Sequence, residues 1–272
     1  MNYLAYVKRS LCLLSLTLAL PLAANLSFAD KQNGGTSTPS SYRELILADQ
    51  PALYWDFTKP ASEGGYVSVT ADDKQSKPLS ALVRGQAPQA AAGPRPSEFP
   101  LFDKQNQSAR FKAGDGFLRV VDPGEESPLD FAAGDEMTIE AWVNPVSIKA
   151  GRFLYIIGKG RTNRKGVAAD NQNYSLRLTG SEISFLFCTQ PEKQGEKPTY
   201  HRWTSTGAGL SALSWHHIAL TYQFSKKQSL QAYINGQPVK GKWDVGGDTS
   251  RPPVVDNDEV WIGSSMGGSV YS

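Results

Sequence analysis

The chain has 272 residues, with 28 Lys and Arg against 26 Asp and Glu and only two cysteines. That length fits one large all-β domain as well as two average ones. The balanced charge gives no bulk attraction for nucleic acid or an anionic membrane, and two cysteines cannot form a disulfide framework.

Residues 1–29 stand apart in composition. Lys8 and Arg9 supply a positive start, Leu11 to Leu22 an apolar core, and Ser27-Phe28-Ala29 a small-x-small site before Asp30. This is the pattern of a cleaved secretory signal peptide. A retained membrane anchor is the weaker reading, because the apolar run is short of a full span and Pro21 ends it. No membrane insertion is expected once the signal is cleaved. Cleavage removes two bases and no acid, leaving 26 against 26, so the mature protein is near neutral. Cys12 leaves with the signal, and Cys188, within Phe185 to Cys188, reads as a small buried hydrophobe. Residues 30–41 are polar, with Gly, Ser, Thr and Pro, and form a disordered tether.

From residue 42 the pattern changes. Tyr42 to Asp49 reads as a short helix with Leu45 and Ala48 inward, and Pro51 to Phe57 as a first strand with Trp55 in the core. Residues 59–100 are rich in Pro, Gly, Ala and Ser. They read as a wandering surface segment, with strand patterns only at Tyr66 to Val69 and Leu79 to Val83. Ser108 to Lys112 and Gly116 to Val121 are short strands. Met137 to Val143 alternates cleanly, with Met137, Ile139, Ala141 and Val143 on one face, until Pro145 stops it. Phe153 to Ile157 follows, and Tyr174 to Leu178 pairs with Ile183 to Cys188 around Gly180. The Gly158 to Asn173 loop is the most charged connection. Tyr200 to Thr204 is the next strand.

Trp215 to Gln223 alternates so that His216, Ile218, Leu220 and Tyr222 share a face. Leu230 to Ile234 follows, then Asn235-Gly236, the strongest short signal for a type I′ turn, since both central residues need positive φ. These segments form an antiparallel meander. No long apolar period of 3.6 residues occurs, so the class is all-β, as an antiparallel sandwich.

Met137-Thr138-Ile139-Glu140-Ala141-Trp142-Val143, Trp215-His216-His217-Ile218-Ala219, Ala232-Tyr233-Ile234-Asn235-Gly236 and Val260-Trp261-Ile262-Gly263 together resemble the laminin-G-like, concanavalin A-like jelly-roll modules of exported bacterial proteins. The resemblance covers residues 42–272 and implies one jelly-roll domain. It also implies that one histidine packs near Trp215 inside the sandwich. Such modules usually carry a further strand that returns beside the N-terminal strand. None follows Tyr271, so the sequence is expected to be the front part of a longer chain with further domains.

Chemistry is sparse. Gly263-Ser264-Ser265-Met266-Gly267 matches a nucleophile elbow but lacks the later acid and histidine. His216 and His217 point to opposite faces and cannot share a metal. Concanavalin A-like glycosidases carry paired carboxylates along one strand. Glu140 is alone in its strand and is expected to face solvent or bond a loop, which argues against an enzyme. Laminin-G-like folds often bind calcium at a rim, making Asp115, Asp170, Asp256 and Asp258 hard-oxygen candidates. For a sugar or protein ligand the candidates are Tyr200, Arg202, Trp203 and Trp243, aromatic rings beside polar loops. At least one of the first three is expected to be buried, while Trp142, Trp215 and Trp261 are assigned to the core. The sequence thus points to a secreted, periplasmic or cell-surface recognition or adhesion module for carbohydrate or an extracellular protein. The alternatives are a structural spacer and a degenerate glycosidase-like domain.

Overall fold

The computed structural model describes residues 2–10, 39–59, 61–69, 78–112, 114–162, 170–265 and 270–271. Most of the expected signal and tether, residues 11–38, lies outside them. The N-terminal half contains β1 (Asn2–Ser10), α1 (Tyr42–Ala48), β2 (Leu53–Trp55), β3 (Gly65–Val67), β4 (Ser80–Gly85), β5 (Gln89–Ala92), β6 (Gln107–Arg110), β7 (Gly116–Val120) and β8 (Glu136–Asn144). Then come β9 (Phe153–Gly160), β10 (Gln172–Thr179), β11 (Glu182–Thr189), β12 (Thr199–Ser205), β13 (His216–Gln223) and β14 (Gln231–Ile234). The last are β15 (Gln237–Pro238), β16 (Gly241–Val245), β17 (Val260–Ile262), β18 (Ser264–Ser265) and β19 (Val270–Tyr271).

Two antiparallel sheets face one another. One runs β15-β14-β13-β8-β1-β6-β5, with β2 also on β1, and the other β16-β12-β11-β10-β9-β17-β7-β4-β3. Each sheet sends every second side chain inward. From the first come Ile139, Val143, Ile218, Leu220 and Tyr222, from the second Leu118, Leu176, Ile183, Phe185 and Ile262, all in one core. Phe185 and Tyr222 meet across it at 5.5 Å between ring centroids. The meander forms as the alternation requires: His216, Ile218, Leu220 and Tyr222 are buried, and Asn235 and Gly236 have φ of 50° and 75°. The two strands flanking Gly114 to Gly116 belong to opposite sheets, so that turn is a corner of the sandwich.

Several sequence expectations are corrected. In α1, Ile46 is the buried residue while Leu45 is 38% exposed, because Tyr42 and Ile46, one turn apart, share the inward face. Tyr42, Phe99 and Phe102 close over Trp142 on the outside of β8, at centroid distances of 6.0, 4.4 and 5.1 Å. The segment read as wandering, residues 59–100, instead supplies β3 and β4 to the nine-stranded sheet and β5 to the other. Glu140 does not face open solvent or a loop: its Oε2 lies 3.1 Å from Nε2 of His217 on β13. The place beside β2 and β8 is filled by β1, which pairs with β8 along nine residues, Asn2↔Asn144 to Ser10↔Glu136. Lys8 and Arg9, read in the sequence as the positive start of a leader, lie in this strand.

One end of the core is ionic. Lys159 on β9 is fully buried, and its ammonium pairs with Asp122 and, at 2.7 Å, with Asp130. Burial raises the Asp130 carboxyl above its usual value, opposed by its bond to Lys159.

Candidate ligand-binding face of the nine-stranded sheet

The residues that alternate away from the core collect on the outer face of the nine-stranded sheet. Strand register lines up Leu82, Arg119, Trp261, Gly158, Ser175, Leu186 and Arg202 straight across seven strands. Beside this row lie Tyr155, Arg177, Ser184 and Thr204, also cross-strand neighbours. Gly158 lets the neighbouring strand approach, since a Cβ there would sit 2.9 Å from that of Ser175.

An outer sheet face is normally wet, yet Ser175, Arg177, Ser184 and Trp261 are all 5% exposed or less. Their polar atoms are not satisfied: Oγ of Ser175 and Ser184, Nε of Arg177 and Arg119, and Nε1 of Trp261 have no hydrogen-bond partner among the described residues. A buried unpaired donor or acceptor costs about 1–3 kcal/mol, so a native protein rarely gathers several on one surface without a use for them.

The charges are uneven. Arg119 pairs with Glu259 at 3.3 Å, and Arg202 holds Asp244 with two bonds of 2.8 and 3.2 Å. Arg177 pairs with no carboxylate among the described residues. Its Nη1 donates to the Tyr155 hydroxyl at 2.7 Å, and its guanidinium stacks 3.9 Å from the Phe153 ring centroid. Burial pulls the Arg177 pKa down, the Tyr155 hydroxyl opposes this, and nearby Arg202 and Arg161 add to the depression.

The four expected ligand residues divide. Tyr200 and Arg202 lie on this face, with the Tyr200 hydroxyl donating to the Asp170 carbonyl at 2.5 Å and Arg161 5.5 Å from its ring. Trp203 and Trp243 are cross-strand partners turned inward. Trp203 is 6% exposed, and Trp243 packs against Phe187 and Tyr222. Those two indoles therefore belong to the core, correcting their reading as ligand platforms. Conversely, Trp261 is buried but on the outer face.

The four acids named for calcium do not assemble one site. Asp115 pairs with Lys112 at 3.0 Å at the opposite end of β7 from the others. Asp170 lies 3.5 Å from Lys197, Asp256 accepts from Asn171 at 2.8 Å, and Asp258, fully buried, accepts from Thr162. Among the described residues no group of three His, Cys, Asp or Glu is placed to hold a metal ion.

Away from this face, a concavity of about 450 Å³ opens at the end of the sandwich, lined by Phe111, Val146 and Leu154 together with Arg110, Lys149 and Arg152.

The sequence model for the concanavalin A-like lectin/glucanases superfamily, laminin-G type, matches residues 121–272, more than half of the chain. The chain belongs to this superfamily. Among solved structures, this superfamily member is similar to an endo-β-1,4-glucuronan lyase from the fungus Trichoderma reesei, at 13% identity and TM-score 0.35, over 56% of this chain and 70% of that one. It is also similar to the binding domain of Paraclostridial Mosquitocidal Protein 1, at 15% identity and TM-score 0.36, over 72% of this chain and 46% of that one. A third similarity, to a protein described as HCR/D-Sa-GBL1/C, has 13% identity and TM-score 0.32, over 70% and 45%. The chain spans less than half the length of the latter two, and no curated protein sequence matches it.

The residues missed in the sequence are Tyr155, Ser175, Arg177, Ser184 and Arg119. A faint signal was present: in Tyr174-Ser175-Leu176-Arg177-Leu178 the polar half of a clean alternation holds one hydroxyl and one guanidinium.

Proposed function

We propose that this superfamily member is a non-catalytic, extracytoplasmic recognition module that holds a carbohydrate against the outer face of its nine-stranded sheet. The observation carrying this reading is the collection, on one face, of unpaired buried hydroxyl, indole and guanidinium groups beside the exposed ring of Phe153 and the half-buried ring of Tyr200. Rings pack on the C–H surface of a sugar, while fixed donors read its hydroxyls. The acids here, Asp244 and Glu259, are each tied to an arginine, which favours a structural role over general acid catalysis. Export is supported by the leader pattern of residues 1–29.

The test is binding of the full chain to a broad panel of immobilised polysaccharides and glycoproteins, with and without calcium, alongside a Phe153→Ala variant and an assay for released sugar. Saturable retention by a glycan, weakened by the substitution and without product, supports the reading. Retention by no glycan favours a spacer, and released sugar favours a glycosidase-like or lyase-like enzyme.

A further inference from the structure

We propose that the ligand is an acidic polysaccharide and that Arg177 receives its carboxylate or sulfate group. This rests on the reading of the outer face as the ligand site and names the ligand class for it. The argument begins with electrostatics. Arg177 is 4% exposed, and no described carboxylate accompanies it. A buried guanidinium stays charged and ordinarily comes with a counter-ion, because desolvating a lone charge is expensive. Lys159, the other deeply buried Lys or Arg among the described residues, shows what the chain does where the role is structural: it brings two aspartates. At Arg177 the neighbours are instead Tyr155, Phe153 and two further arginines, Arg161 and Arg202, each of which disfavours its charge.

The surrounding groups are those an anionic sugar needs. The Arg177 fork has Nε unsatisfied, which leaves a donor for an incoming oxyanion. Ser184 lies directly across the strand pair from Arg177, and Ser175 two residues before it on the same face. Both hydroxyls lack partners and would bond the ring oxygens and hydroxyls of the same unit. Phe153, 37% exposed and stacked on the Arg177 guanidinium, would lie against the sugar ring. Arg202, at the edge of the face with its side chain 30% exposed, places a second cation near an adjacent unit of a repeating polymer.

The test compares the full chain's affinity for a polyuronate, for a sulfated polysaccharide, and for the polyuronate after chemical reduction of its carboxyl groups. The reduced polymer keeps linkage and shape and lacks only the charge. Tighter binding of a charged polymer than of the reduced one, by at least about tenfold and weakened by added NaCl, is expected. The uronate and sulfate arms identify which anion is read. Arg177→Gln should reduce the ratio of affinities for charged and reduced polymer toward one, whatever it does to the affinity for the reduced polymer itself, and Arg177→Lys should restore part of that ratio. Arg177→Gln should also melt no lower than the parent, since it removes a charge that burial penalises. A structural arginine would give a clear loss. Should Arg177→Gln fail to fold, the comparison between native and reduced polymer on the unmodified chain still decides, with Arg202→Gln as the second variant. Equal affinity for charged and reduced polymers overturns the inference and leaves the carbohydrate reading standing. Binding to none of the three, nor to any glycan of the wider panel, removes that reading and the inference with it.

Discussion

Replacing Lys159 by Met isolates the cost of an internal charge in this fold. Its ammonium is the shared partner of Asp122 and Asp130, whose side chains are 1% and 12% exposed. Methionine approximates the length of the stem, so the main loss is the charge and its hydrogen bonds, and two carboxylates remain facing a cavity without a cation. Breaking a buried ion pair by removing one partner costs roughly 3–5 kcal/mol, a large part of the 5–15 kcal/mol that usually stabilises a domain. At about 2–4 °C per kcal/mol for a chain of this size, the melting temperature at pH 7 should fall by roughly 6–20 °C. The pH dependence carries a sign. The Asp130 carboxyl is already raised in the folded state, so its contribution favours folding at low pH and is lost as pH climbs from the unfolded value near 3.8 through the folded one. Without Lys159 that folded value rises further. The penalty in Lys159→Met should therefore shrink as pH is lowered from 7 toward 4. Adding Asp122→Asn and Asp130→Asn should restore most of the stability at pH 7. The assay is calorimetric melting of the parent, single and triple variants at both pH values. A shift below about 1 kcal/mol at pH 7, or a penalty that grows on acidification, would refute the argument.

Gly241→Ala should destabilise by about 1–3 kcal/mol in denaturant melts, because a Cβ at that position overlaps the Trp203 ring and the Thr204 carbonyl. Burial pushes the Cys188 thiol up to about 11, so in a Cys12→Ser background an alkylating reagent at pH 8 should leave native Cys188 unlabelled and modify it rapidly in denaturant; labelling of the native state in that background would contradict the packing. Removing residues 1–29 deletes the strand that pairs with β8, and should lower cooperativity and melting temperature. A synthetic peptide of residues 2–10 should restore part of the loss, whereas a scrambled peptide should not.

Local alternation was enough to read the sandwich. The spacing of His216 to Tyr222 and the Asn235-Gly236 turn determine which side faces inward over two strands, and register then extends that choice to their neighbours. What alternation cannot convey is the far side of the sheet. Trp203 and Trp261 look alike in sequence, each in a short strand, yet one fills the core and the other lies on the opposite surface, because parity depends on which partner each strand finds. Arg177 was passed over for the same reason. Nothing within six residues reveals that its acid partner is missing, since that is a property of β9, β11 and β12 brought alongside. The error in α1 was smaller: with seven residues, two candidate faces differ by a single position.

The placement of β1 sets up a conflict over timing. Under the export reading, residues 2–10 belong to the segment that a translocation machinery must grasp in extended form, and the same residues close the middle of a sheet against β8. A single segment cannot do both at once. A chain that folds before it leaves would hide its own address, so any delay in closing the sheet would favour export. Once the leader is cut away, the nine positions along β8 become an unpaired edge, and another extended segment would have to take them.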